Sequence, residues 1–163
     1  MAQNFCGSNN INLLTPSGQF DTRRMGGKYA AYRSYIFTCL EKITRTIFHP
    51  DDDAFLTYLN DDCLSIKPEF YMPGIPMCLV NGSYGIGTRW SSSVPNYDTQ
   101  AIIDNILKLI QGGELDKTTP NYYGWIGKFD LETGKKADSY IIRGTIERII
   151  ETTLQISELP IKK

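Results

Sequence analysis

The clearest periodic signal in the chain is one amphipathic stretch at residues 98–111, bracketed by its own start and stop signals. Asp98 suits an N-cap, and Ile102, Ile103, Ile106, Leu107, Leu109 and Ile110 form an apolar stripe that Gly112-Gly113 terminates. Residues 1–28 offer no such period. Gly7-Ser8-Asn9-Asn10, Thr15-Pro16-Ser17-Gly18 and Gly26-Gly27 predict loops and short strands, including Ile11–Leu14. Ile36, Leu40, Ile43 and Ile47 recur at helical intervals and predict a helix over 35–48, closed by Pro50. A second short helix is expected over Ala54–Leu59, behind the acidic cap Asp51-Asp52-Asp53. Met77–Val80 reads as a buried strand and Gly85–Trp90 as a loop. After Pro120 come three strand-like runs, Trp125–Leu131, Ser139–Thr145 and Thr153–Leu159, with turns near Thr133-Gly134 and Ile150-Glu151. The fold class is therefore α+β. A shift in composition at Ser91-Ser92-Ser93 places a boundary between residues 1–90 and 91–163.

With 163 residues, 41% hydrophobic and 21% charged, the chain can bury a core and is too apolar for a disordered one. No apolar run nears the roughly 20 residues that span a bilayer, and Met1-Ala2-Gln3-Asn4-Phe5 has no signal-peptide character, so no membrane partner or secretory route is expected. Cys6, Cys39, Cys63 and Cys78 include no C-x-x-C pair and His49 is the lone histidine, which excludes a zinc finger and predicts reduced thiols. The net charge of −1 hides an uneven distribution. Phe20–Pro50 carries six basic side chains against two acidic ones, whereas Asp51–Tyr71 carries six acidic against one basic. One face is thus suited to an anion while the whole remains near neutral.

Several motifs fail their chemistry. The glycines of 82–90 lack both the third glycine of a dinucleotide fingerprint and the Gly-Lys-Ser/Thr of a P-loop. Asp51-Asp52-Asp53 lacks the alternate spacing of a calcium loop and reads as a solvated helix start. The segment from Gly18 to Tyr35 is different. It is basic, glycine-rich and interleaved with Tyr29, Tyr32 and Tyr35, a composition that suits polyphosphate contact. A tyrosine there is a candidate nucleophile toward phosphorus, although loop tyrosines also cap cores.

The order of the motifs is more telling than any one of them. Gly7-Ser8-Asn9-Asn10-Ile11-Asn12-Leu13-Leu14, Gly18-Gln19-Phe20, Thr22-Arg23, Gly26-Gly27-Lys28 and Tyr35-Ile36-Phe37-Thr38 are followed by Pro68-Glu69-Phe70-Tyr71, Asn81-Gly82, Gly85-Ile86-Gly87-Thr88 and Ile156-Ser157-Glu158-Leu159-Pro160. Together they resemble the breakage–reunion core of eukaryotic-type DNA topoisomerase II, collinearly over essentially the whole chain. The resemblance implies a winged-helix DNA-binding part over 1–90, followed by the start of a mixed α/β tower domain over 91–163.

The resemblance also implies roles. Tyr35 matches the tyrosine that attacks a DNA phosphodiester and becomes joined to the 5′ end of the cut strand. Ile86 matches the residue that wedges between base pairs and bends the duplex. Arg23, Lys28 and Arg33 become candidate phosphate contacts, with Lys162 a weaker one. A phenol, with an ordinary pKa of about 10, needs a cation or base nearby to act at neutral pH. The family usually supplies an Arg immediately before the tyrosine, but Ser34 stands here, with Arg33 one residue earlier. Asp21 and Tyr29 replace a usual Gly and Asp, and Arg89 replaces a usual Gly. The implied partners are duplex DNA and a second subunit, since the tyrosine works in trans in a homodimer. The implied cofactors, Mg2+ and ATP, are bound by upstream domains of a longer nuclear enzyme, none by this piece, which alone is expected to be inactive. Two alternatives stay open: a DNA-binding and bending module that no longer cleaves, prompted by Ser34, and a structural domain in which Tyr35 is core packing.

Overall fold

Asparagine side chains stitch the amino-terminal segment to the middle of the chain. The computed structural model describes residues 1–131 and 139–161. Asn81 accepts from the Ile11 N–H at 2.9 Å and donates to the Ile11 carbonyl at 2.8 Å, so its amide imitates a strand partner. Asn10 donates to the carbonyls of Tyr97 and Asn121, while the buried Asn96 donates to the Ser8 carbonyl and to Asn10 Oδ1. Every one of these amides thus meets the partner that burial demands. Gly82 lies beside them at φ +67, where a Cβ would fall 2.4 Å from Asn96 Oδ1 and 2.7 Å from the Val94 carbonyl. Only glycine fits.

Around this hub the chain forms five two-stranded antiparallel ribbons and three α-helices among the described residues. Strand β1 (Leu14–Ser17) pairs with β2 (Phe37–Leu40), and helix α1 (Thr44–Ile47) follows. Thr44 Oγ1 donates to the Leu13 carbonyl at 2.6 Å and pins that helix to the first ribbon. Strands β3 (Tyr58–Asp61) and β4 (Leu64–Pro68) form the second ribbon, and helix α2 is Met77–Val80. Strands β5 (Ser83–Ile86) and β6 (Ser91–Val94) form a hairpin before helix α3 (Thr99–Ile110). Strands β7 (Lys128–Leu131) and β8 (Tyr140–Arg143), then β9 (Thr145–Ile150) and β10 (Thr153–Glu158), complete the set. The core is small: Leu13, Ile47, Val80, Ile102 and Tyr122 are buried, and Val80 is fully enclosed.

The α+β expectation is met, and α3 is the predicted helix: Asp98 accepts from the Ala101 N–H, and Gly112 follows its end. The predicted helix over 35–48 is corrected. Arg33–Tyr35 is a 3-10 turn, Phe37–Leu40 is a strand, and only Thr44–Ile47 is helical. Phe37 and Thr38 suit a pleated surface and β1 offers a partner, so pairing overrides a weak helical period. Pro50–Phe55 is a 3-10 helix capped by His49, and the expected Ala54–Leu59 helix gives way to β3. Met77–Val80 is a helix rather than a strand, because Pro76 sits at its N-cap, where a proline starts a helix instead of breaking one. The predicted strand Ile11–Leu14 begins only at Leu14; the loop predicted over 85–90 holds for 87–90, while Gly85 and Ile86 end strand β5 of the hairpin. The 90/91 division falls at the tip of that hairpin. The Thr133-Gly134 turn and Lys162 lie outside the described residues.

Candidate nucleic-acid interface

The basic segment is an excursion out of the first ribbon. Ser17 pairs with Phe37, so residues 18–36 leave and return at one point. The Ala31 N–H donates to the Gln19 carbonyl at 3.0 Å and narrows the neck. Three further ties fix the excursion. Gln3 donates to the Phe20 carbonyl at 3.2 Å, and its amide lies against Gly27, where a Cβ would come within 2.9 Å of Nε2. Asp21 accepts from the N–H groups of Thr22 at 2.6 Å and Tyr29 at 2.9 Å. Arg23 Nη2 donates to Glu158 Oε1 at 2.6 Å and to the Leu159 carbonyl at 2.8 Å.

Glu158 is the buried end of that last tie. Desolvation pushes its pKa up, but the Arg23 hydrogen bond and the N–H groups of Ile126 and Leu159 outweigh it, so the carboxyl titrates below the usual glutamate range. Asp21 is lowered too, chiefly by the Tyr29 N–H. The Leu159 carbonyl also accepts from Trp125 Nε1, whose ring packs on Phe129. Arg23 therefore joins the basic excursion to the carboxy-terminal ribbon.

Tyr35 closes the 3-10 turn, its N–H donating to the Tyr32 carbonyl at 2.8 Å, and its side chain stands 76% exposed. At three residues per turn, Arg33 and Ser34 each sit a third of a turn from Tyr35. The backbone bends here, and the opposite-face geometry of an extended strand does not arise. Arg33, Arg24 and Lys28 are exposed.

A concave surface connects this excursion to the β5–β6 hairpin: Arg23, Arg24 and Lys28 share its wall with Phe5, Cys6 and Tyr84. Tyr84 and Ile86 alternate along β5, so they lie on one face about 7 Å apart. Ile86 is 74% exposed, and beyond it the Gly87 N–H donates to the Trp90 carbonyl at 2.7 Å to close the tip. Trp90 is 82% exposed and Arg89 is also in solvent. The tip thus carries two large apolar groups and a cation in a fixed turn.

Tyr84 and Arg24 are wall residues that motif reasoning passed over. The available signals were the alternation of Tyr84 with Ile86 and the adjacency of Arg24 to Arg23. Glu158 left a fainter trace: a lone carboxylate at the end of an apolar strand. His49 accepts from the Asp51 N–H and serves as a cap. Among the described residues no three carboxylate, histidine or cysteine side chains converge to hold a metal ion, and no helix is long and apolar enough to cross a membrane. Arg23, Arg24 and Lys28 on this wall are cationic donors and offer no set of oxygen ligands suited to Mg2+.

Arg23, Arg24, Lys28 and Tyr84 share one wall, with the exposed phenol of Tyr35 at the end of the same excursion and the exposed Ile86 two residues along the strand from Tyr84. The family model for the A-type chain of DNA gyrase/topoisomerase IV matches residues 1–163, and the chain belongs to that family. Within it, the similarity runs to eukaryotic proteins: DNA topoisomerase 2 of Pisum sativum is 52% identical over 163 residues, covering 100% of this chain and 11% of that relative. DNA topoisomerase 2 of Candida albicans is 48% identical over 162 residues, with 99% and 11% covered. The solved DNA-binding, cleavage and re-ligation domain of Plasmodium falciparum topoisomerase II superposes with a TM-score of 0.90 at 48% identity, covering 99% of this chain and 22% of that one. The chain spans about a tenth of the length of the curated relatives it matches.

Proposed function

We propose that this chain is the nucleophile-bearing part of the DNA cleavage and religation core of a type II DNA topoisomerase. Tyr35 Oη attacks a backbone phosphorus, a 5′-phosphotyrosyl bond forms, and the 3′-oxygen leaves with a proton. Attack by that 3′-hydroxyl reverses the step and restores both the strand and the phenol. The observation that carries the reading is the exposure of Tyr35 at the foot of the cationic excursion. The developing charge on phosphorus needs cationic donors, and Arg33, two residues earlier in the same 3-10 turn, is the nearest in sequence. Lys28 contacts neighbouring phosphates, with Arg23 steadied by Glu158 and Lys162 as a further candidate. Ile86 enters the base stack at the hairpin tip and bends the duplex.

Strand passage, ATP dependence, Mg2+, the homodimer that presents the tyrosine in trans and nuclear residence belong to this reading of the complete enzyme. Magnesium and ATP are held by other regions of it. Tyr35→Phe in the complete enzyme is expected to abolish covalent protein–DNA adducts while leaving duplex binding intact, and normal adduct levels would overturn the assignment. Ser34 favours a second reading, a module that binds and bends DNA without cutting. The same adduct assay on the unaltered protein separates the two, since the second reading gives no adduct.

A further inference from the structure

The loop that carries Arg23, Arg24 and Lys28 is built around a carboxylate. Asp21 occupies the left-handed region at φ +77, which a non-glycine residue tolerates best when a short polar side chain bonds locally. From there its two oxygens reach opposite ends of the loop, Oδ1 to the Thr22 N–H and Oδ2 to the Tyr29 N–H. Gly26 and Gly27, at φ +65 and +84, complete the reversal between them. Two of the positions at which the chain departs from the pattern it resembles, Asp21 and Tyr29, thus meet in one hydrogen bond.

We infer that Asp21 is a positioning residue for the duplex: its carboxylate draws the backbone N–H groups of the 21–29 loop inward and presents Arg24 and Lys28 as preset phosphate contacts. The inference rests on the duplex-engaging reading above. A concavity of loop N–H groups is a ready anion site, and here an internal anion fills it, so the phosphate backbone is left to the side chains. Closure by one side chain also fixes the loop before the duplex arrives. The ordering cost of the loop backbone that carries these two side chains then falls outside the binding step.

The test compares the wild type with Asp21→Asn and Asp21→Gly, reading amide hydrogen exchange at Thr22 and Tyr29 alongside duplex DNA affinity as a function of salt. Glycine adopts this φ without strain, so Asp21→Gly removes the bonds and leaves the backbone path available. Both variants lose the same charge, and the difference between them isolates the hydrogen bonds. Asp21→Asn should keep part of the amide protection and bind at least as tightly as wild type. Asp21→Gly should lose protection at both amides and bind about tenfold more weakly than Asp21→Asn, the equivalent of ordering about one further backbone residue on binding. Unchanged amide protection in Asp21→Gly, or equal affinities for the two variants, would overturn the inference. Wild-type protein with no salt-dependent duplex binding would instead overturn the functional reading beneath it, so the two failures are distinguishable.

Discussion

Arg23 and Glu158 stand 135 residues apart in sequence and 2.6 Å apart in space. Glu158 is only 7% exposed, whereas the Arg23 side chain keeps 30% of its surface. Arg23→Ala leaves the carboxylate buried with its cation gone and should cost about 2–3 kcal/mol. Glu158→Gln preserves shape and should cost less, about 1–2 kcal/mol. The pH dependence follows from the lowered folded pKa of Glu158. The stabilisation is complete above the ordinary glutamate value and disappears as pH falls through the depressed folded value. Urea midpoints at pH 7 and along a series falling below pH 4 check both points, with the variants converging on wild type only once the pH lies below the depressed folded value.

The hub makes a sharper demand at Gly82. Alanine there meets Asn96 Oδ1 at 2.4 Å and the Val94 carbonyl at 2.7 Å, and adopts a left-handed φ as well. Gly82→Ala should lose about 2–4 kcal/mol, because strain and displacement of a buried amide act together. A thermal melt reads the loss. A wild-type melting temperature would refute the hub as the organising feature.

Ile86 separates stability from function. Its side chain lies in solvent at the hairpin tip, so Ile86→Ala should leave stability within about 0.5 kcal/mol. Energy transfer between dyes at the ends of a short duplex should nevertheless report a smaller bend. An unchanged bend angle would remove Ile86 from the interface.

Ser34→Arg tests the electrostatics around the nucleophile. Position 34 is one residue and position 33 two residues before Tyr35 in the 3-10 turn, so a guanidinium at 34 adds a donor nearer in sequence to the developing charge than Arg33. Adduct formation in the complete enzyme should rise about tenfold or more, within the range that a single preorganised donor contributes. The slope of duplex affinity against salt should change by less than about one unit. Cleavage that appears only in the variant would favour the non-cutting reading of the wild type.

The sequence made some elements of the fold easier to read than others. Helix α3 was legible because its stripe and both of its ends are local signals. Strand β2 was hidden because its pairing with β1 depends on residues about twenty positions away, while its own apolar spacing mimics a helix. Helix α2 was hidden because a four-residue apolar run has no period, and only Pro76 at its N-cap marks its start. Tyr35 and Ile86 were legible only as candidates, as members of ordered motifs, and both side chains stand exposed. The ties that hold their supports were not: Asp21, Glu158 and the asparagines look like ordinary polar residues until the backbone folds them onto distant partners.

The asparagine hub has a consequence for how such a surface tolerates its surroundings. Carboxamides carry no charge at any physiological acidity, and neutral hydrogen bonds are not subject to ionic screening. The framework that anchors the amino-terminal segment and the base of the β5–β6 hairpin is therefore indifferent to the ions that screen the exposed Lys28 and Arg24. Surface charge and frame answer to separate variables, so salt can weaken any contact those cations make while the base of the hairpin stays in register.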